Sequence, residues 1–216
     1  IDHGRNYVEE TYKRPFFDRL FRNILSFVLP RPKVFLVLAY LTKLIKPFSF
    51  LLPTFLKNSL NLMPNKIPSK KIETQKIYKP ESGKIISRVA LLTGCVQRVI
   101  SPEINESTIR ILNRHNVEVV GMPEIECCGS LNHHLGKKDL AHQSFVKNIE
   151  KWHEEYITNG LDAIISNTSG CGTTLKDYGH IFKNDNDLKK KAKKISELTK
   201  DVTEYLEESL DLKIKT

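Results

Sequence analysis

Several residue types are scarce in this sequence. Its 216 residues hold four cysteines, two methionines and one tryptophan. Four cysteines, two of them adjacent, do not resemble the disulfide framework of a small secreted domain. Neighbouring cysteines also pair poorly with each other, because a disulfide needs a wider separation of the two backbones. No Cys-x-x-Cys run occurs, so the short knuckles of structural zinc sites are missing. Gly-x-Gly-x-x-Gly and the phosphate-binding P-loop are absent too, which leaves no visible motif for flavin, dinucleotide or nucleoside triphosphate. Near the N-terminus the longest uncharged runs, 34–42 and 47–56, are about half the ~18–20 residues of a membrane span. No helix there is expected to cross a bilayer. The chain starts at Ile1 without a signal-peptide pattern and reads as a fragment or a processed chain.

Charge is unevenly spread. Residues 1–80 carry 15 Lys and Arg against 5 Asp and Glu, whereas residues 81–216 carry 19 against 20. The net +9 therefore belongs to the first third. A nucleic-acid partner is not expected, because the part that holds the cysteines is close to neutral.

Three segments follow from composition and periodicity. Residues 1–63 are basic and rich in Phe, Leu, Ile and Val, interrupted by Pro15, Pro30, Pro32, Pro47 and Pro53. Proline fixes φ and cannot continue a helix ladder, so this is expected to be an extension of short amphipathic helices. Its stripes are Leu20, Ile24, Phe27 and Val28, then Phe35, Leu38, Leu41 and Ile45. Their apolar faces suit either a partner protein or a membrane surface. Residues 64–83 have linker composition.

Residues 84–216 read as an α/β domain, a parallel sheet with flanking helices. Strands are expected at 88–93, 117–122 and 163–166, with helices after Ser101 and over 137–159 between them. The first helix should bury Ile104, Thr108, Ile111 and Leu112, with Asn116 as its left-handed stop; the second should bury Ala141, Phe145, Ile149, Trp152 and Tyr156. A short helix is expected after Cys171, and one long final helix over 187–210. Strand, helix, strand implies right-handed crossovers, and each of the three strands ends just before a cysteine. All four thiols should therefore meet at the carboxyl edge of one sheet, where open α/β folds hold ligands.

The cysteines are Cys95, Cys127, Cys128 and Cys171, with 31 residues between the first two and 42 between the last two. Gly94, Gly129, Gly170 and Gly172 stand directly beside them. Glycine there lets the backbone turn sharply, often at positive φ, and lets amides approach the sulfurs. Four thiolates suit an iron-sulfur cluster. Zinc also accepts four sulfurs, or three with His133, His134 or His180. The residues equally admit a reactive Cys128 with a histidine base, or four inert buried thiols.

The wording around these cysteines resembles a known family. Arg88-Val-Ala-Leu-Leu-Thr-Gly-Cys-Val-Gln97, Cys127-Cys-Gly-Ser-Leu-Asn-His-His-Leu-Gly136 and Ser169-Gly-Cys-Gly-Thr-Thr-Leu-Lys-Asp-Tyr-Gly-His180 are similar to the CCG cysteine-rich domain, in its glycolate oxidase branch. The resemblance implies a Rossmann-like domain, here the first of two such domains in a longer chain. It implies an iron-sulfur electron-transfer subunit that works with flavin subunits and passes electrons towards a membrane quinone. Lactate-utilisation and glycerol-3-phosphate subunits share the core. The chain would then be cytoplasmic, peripheral on the inner membrane. One departure stands out: the general pattern ends in Cys-x-x-Cys, and Thr168 occupies the first of those positions. Four ligands instead of five suggest an ordinary 4Fe-4S cluster, with His133, His134 and His180 at most around it.

Overall fold

A computed structural model describes residues 2–61, 63–64, 67 and 77–210. The sheet has five strands: β1 (Ile77–Tyr78), β2 (Ser87–Leu92), β3 (Val117–Gly121), β4 (Ala163–Ser166) and β5 (Thr199–Asp201), in the order β1-β3-β2-β4-β5. The last four run parallel, while β1 pairs antiparallel with β3 through Val119 and Val120. The fold class is the expected α/β. The sheet is mixed rather than purely parallel, because the chain entering from the N-terminus pairs in the opposite sense on the free edge of β3. Most of the expected linker, 64–83, lies outside the described residues, as do 211–216 at the end of the expected 84–216 domain; β1 is the described part that joins the sheet.

Alternation along the strands sorts two cores. Val89 and Leu91 face one side, Ala90 and Leu92 the other, as the period of two in a pleated strand demands. On the first side Val117, Val119, Ala163 and Ile165 pack with Ile109 and Leu112 of α6 (Pro102–Arg114) and Tyr205 of α12 (Val202–Leu210). On the second, Ala141, Phe145, Ile149 and Trp152 of α8 (Lys138–Asn159) pack with Leu175 and Tyr178 and with Ala192, Ile195 and Leu198 of α11 (Lys189–Leu198). The crossovers β2-α6-β3 and β3-α8-β4 thus cover opposite faces, and the winding reverses between β2 and β4.

Two expected stripes shift. In α6 the inward residues are Asn105, Thr108, Ile109 and Leu112, while Ile104 is 44% exposed. Asn105 turns in because its amide donates to the Thr93 carbonyl at 2.8 Å, satisfying a buried acceptor that an isoleucine would strand. Ser101 precedes the helix as expected but makes no side-chain cap. The single final helix expected over 187–210 is instead α11, β5 and α12. Sheet pairing of 199–201 with β4 overrides the helical period, and the crossing sends α11 to one face and α12 to the other. Asn116 has φ 61° after α6, and Gly160 ends α8 at φ 78°, both at the expected stops.

The N-terminal segment is helical: α1 (Asp2–Thr11), α2 (Phe16–Val28), α3 (Pro32–Ile45), a 3₁₀ turn (Lys46–Leu51) and α4 (Thr54–Asn61). Among the described residues here Phe35 and Ala39 form a small buried apolar cluster with Val99, against which Val28, Leu29 and Leu36 pack partly buried. The expected stripe residues Leu20, Ile24 and Phe27 are exposed, and Phe17 and Phe50 are 80% and 73% exposed. The expectation about membrane spans needs correction. The 3₁₀ turn continues α3 past Pro47, and the resulting 20-residue stretch Pro32–Leu51, with a mean hydropathy of 1.7 and a central window 11% buried, meets the length and composition of a span. Counting uncharged runs stopped at Lys43 and Lys46, whose aliphatic stems an apolar helix accommodates.

At the amino edge of the sheet, Arg88 bonds Glu118 at 2.8 Å and Glu155 at 2.5 Å and donates to the Gly160 carbonyl. Glu118 is buried. Arg88→Ala leaves that carboxylate without its cation, and the expected loss is about 2–3 kcal/mol, below the fully buried case because the arginine keeps some solvent contact. Urea unfolding measures it; Arg88→Met with Glu118→Leu should recover most of the loss. A single-variant loss below about 0.5 kcal/mol would contradict a structural role.

Candidate metal centre

The three parallel strands deliver the thiols as expected. Cys95 follows β2 by three residues, Cys127 and Cys128 end the loop after β3, and Cys171 lies beyond β4. All four are free. Their sulfurs form a file in which Cys95 touches Cys127, Cys127 touches Cys128, and Cys128 Sγ lies 3.0 Å from Cys171 Sγ. Cys127 and Cys128 are buried, while Cys95 and Cys171 are partly exposed at the two ends.

Ionisation is opposed along the file. Cys95 is pushed well above the ordinary thiol value by its contact with Cys127 and then by burial. The bond to Cys128, partly offset by that to Cys95, and burial push Cys127 up to about 12. Cys128 is favoured by Cys127 but raised on balance by Cys171 and desolvation. Like charges cannot gather there without a cation to compensate them. Such thiols are poor nucleophiles, so a thiol enzyme lacks its main requirement here.

Backbone amides already point at the sulfurs. The Gly129 amide donates to Cys127 Sγ at 3.4 Å, and amides at Val96 and Ser130 favour the Cys95 and Cys128 thiolates. Gly129 has φ 83° and Gly94 φ 71°, as sharp turns require. Gly170 and Gly172 differ from that expectation: they lie inside α9 (Ser169–Lys176), without positive φ. Cys171 thus sits in the first turn of a helix, slightly further in than expected.

Two polar networks, which the sequence analysis did not identify, hold the loops. Gln97, in the short helix α5 (Gln97–Ile100), donates to Asn105 and Asn167 at 2.8 Å and accepts from Thr168 at 2.8 Å. Asn167 also bonds Asn105 and Thr108. This ties the Cys95 turn to the Cys171 turn, and gives Thr168 a partner where the general pattern has cysteine. On the other side Asn148 of α8 donates to the Cys127 carbonyl at 2.9 Å, and the Tyr178 hydroxyl donates to the Cys128 carbonyl at 2.7 Å. Burial keeps that phenol protonated. Asn148 falls at the same face as Ile149 and Trp152, and a polar residue inside an apolar helical stripe was the available signal.

The histidines have contacts of their own. The α7 turn (Ser130–His134) places the His133 ring edge-on to Phe145. Arg5 donates to Nδ1 of His134 at 2.7 Å; an arginine cannot accept, so that nitrogen is the acceptor. His180 is exposed on α10 (Tyr178–Ile181). Among the described residues no three His, Cys, Asp or Glu side chains stand ready to chelate a metal ion. The sulfur file explains this: 3.0 Å between Cys128 and Cys171 is shorter than the ~3.8 Å that two 2.3 Å bonds to one tetrahedral zinc would give. The donor set fits a thiophilic group in number and softness, and binding would require the thiols to lose their protons and spread.

The helical extension docks beside the cysteine pair. Ser26 bonds Asn132 at 2.7 Å, Arg22 donates to the Leu135 carbonyl, and Glu9 pairs with Arg14, Arg22 and Lys137. Between the Pro30–Arg31 corner and α8 a pocket of about 160 Å³ reaches Cys127.

Residues 89–176 match the CCG cysteine-rich domain. The chain is 35% identical over 208 residues to the glycolate oxidase iron-sulfur subunit of Escherichia coli, covering 96% of this chain and 48% of that protein. A probable glycolate oxidase iron-sulfur subunit of Bacillus subtilis is 28% identical over 76% of this chain and 37% of its own length. Lactate utilization protein A 1 of Bacillus cereus is 25% identical over 58% of this chain and 50% of its own. The chain thus spans about half or less of these relatives. No solved structure matches it.

Two glycines separate conformation from packing. A Cβ at Gly129 would stand 2.6 Å from Phe145 Cε1, whereas one at Gly94 would meet only Gln97 Cβ at 3.4 Å. Gly129→Ala is expected to cost about 2–4 kcal/mol through strain and overpacking, and Gly94→Ala about 1–2 through backbone alone. Equal losses in urea unfolding would refute the packing role of Phe145.

Proposed function

We propose that this chain is part of the iron-sulfur electron-transfer subunit of a glycolate, or 2-hydroxy acid, oxidase complex. One observation carries the proposal: four free thiols from three strand ends meet in one file at the carboxyl edge of the sheet, inside a CCG domain. Cys95, Cys127, Cys128 and Cys171 would hold a 4Fe-4S cluster. When bound, such a cluster accepts and releases single electrons. Amides at Val96, Gly129 and Ser130 would donate to its thiolates, while Asn148 and Tyr178 fix the Cys127 and Cys128 carbonyls. His133, His134 and His180 would bind no metal. The expected division into extension 1–63, linker 64–83 and CCG domain 84–216 belongs to this proposal.

Flavin subunits of the same complex would supply the electrons, and a quinone at the cytoplasmic face of the inner membrane would take them. This chain would carry no substrate chemistry of its own. The lactate-utilisation relative supports a second reading in which the oxidised substrate is lactate; activity of the purified complex with glycolate against lactate separates the two.

Anaerobic reconstitution with iron and sulfide is expected to give about four irons per chain and a reducible paramagnetic signal. Serine at any of the four cysteines should sharply lower iron content, and Thr168→Cys should alter the signal by adding a fifth thiolate. One tightly bound zinc without labile sulfide, under strict anaerobiosis, would overturn the assignment in favour of a structural zinc domain.

The exposed Phe and Leu side chains of 16–51 and the excess basic charge of residues 1–80 support contact with an anionic membrane surface. Sedimentation with vesicles containing phosphatidylglycerol should fall several-fold between low salt and 0.5 M salt. Binding only to the flavin subunits, with none to vesicles, would assign the face to a protein partner.

A further inference from the structure

A charged group with no role so far lies next to the sulfur file. Arg98 follows Cys95 by three residues, in α5, between β2 and the extension. Its Nε is buried and has no hydrogen-bond partner among the described residues. Leaving a guanidinium N–H unpaired away from water is unfavourable, so structural economy alone does not account for an arginine here. Burial disfavours its cationic form, and the negative charges that Glu126, Cys95 and Cys127 can carry favour it, without fully offsetting burial. The neighbouring residues of α5 are otherwise engaged: Gln97 ties the turns together, and Val99 packs on Phe35 and Ala39. In that helix it is Arg98 whose buried polar group stays uncommitted beside the file.

We infer that Arg98 is the counter-charge of the iron-sulfur site, a positioning residue whose guanidinium stabilises negative charge on Cys95 and Cys127 and so favours the reduced state. The inference rests on the iron-sulfur assignment proposed above. The balance is simple: one electron from reduced flavin would go to the iron of the cluster that the four thiolates would hold, adding one negative charge to the site, and no proton or bond is exchanged at Arg98. A fixed cation close by lowers the free energy of the more negative state more than that of the less negative one. Glu126, of opposite sign, works against it.

The test is a redox titration of anaerobically reconstituted protein against a one-electron dye, with iron and sulfide measured on every sample. At fixed solution potential, Arg98→Gln is expected to lower the ratio of reduced to oxidised protein about tenfold, which is about 59 mV for one electron. Arg98→Lys, which keeps the charge, should lower it by no more than about threefold, and Glu126→Gln should raise it. A Gln variant with full iron content and an unchanged ratio overturns the inference. Should Arg98→Gln lose its iron while Arg98→Lys keeps it, the charge requirement is upheld. Loss in both variants assigns Arg98 to packing and overturns it. A wild-type chain that takes up zinc but no iron and sulfide defeats the underlying assignment itself, an outcome visible before any variant is made.

Discussion

Four sulfurs in contact, two of them withdrawn from water, impose an electrostatic constraint on everything around them. A single buried thiolate is unfavourable, and each further one in the same file repels the first. Ionisation of Cys95, Cys127 and Cys128 is therefore opposed, and Cys127 and Cys128 are buried, Cys128 in the Phe145 side of the core. Only a compensating positive centre lets the set ionise together. Amide donors from the Gly129 turn and the Val96 turn are oriented for that ionised state before it forms, which is the meaning of preorganisation here.

The loops that bear the cysteines are held by amide hydrogen bonds as well as by apolar contacts such as that of Ile125. Gln97, Asn105, Asn167 and Thr168 lock the β2 turn to the β4 turn, while Asn148 and Tyr178 lock the β3 loop from below. Asn105, Asn148 and Tyr178 are buried and Gln97, Asn167 and Thr168 half-buried, and an apolar replacement would take a hydrogen bond from each one's partner. The same polar logic extends outward. Ser26, Arg22 and Glu9 join the basic extension to the α7 turn directly after Cys128. The extension meanwhile leaves most of its own aromatic side chains exposed, so whatever covers Phe17 and Phe50 sits on a segment hydrogen-bonded to the turn after the cysteine pair.

Much of this was legible without coordinates. Strand-helix-strand order, the glycine-flanked cysteines, the stops at Asn116 and Gly160, and the burial of Trp152 all follow from local chemistry: alternation, turn preference and helical period. The convergence of Cys95, Cys127, Cys128 and Cys171 follows too, because parallel strands with right-handed crossovers put every strand end on one edge. The charge asymmetry and the proline-punctuated helices were likewise visible from residue type alone.

Tertiary structure decided the remainder. Residues 199–201 have the period of a helix and become a strand because β4 offers unpaired backbone groups, a non-local term that no window of sequence contains. Asn105 displaces Ile104 from the α6 stripe because the Thr93 carbonyl, twelve residues away, needs a donor. Continuity of the helix through Lys43, Lys46 and Pro47 depends on backbone geometry rather than on an uncharged run. The amide networks, the docking of Arg5 on His134 and the uncommitted Arg98 depend on which side chains meet in space, across as many as 129 residues of chain. Local propensity is set by neighbours in sequence, whereas hydrogen-bond satisfaction and desolvation are set by neighbours in space. That difference separates what the sequence determined by itself, the fold class and the four thiols at one edge, from what only the folded chain could decide.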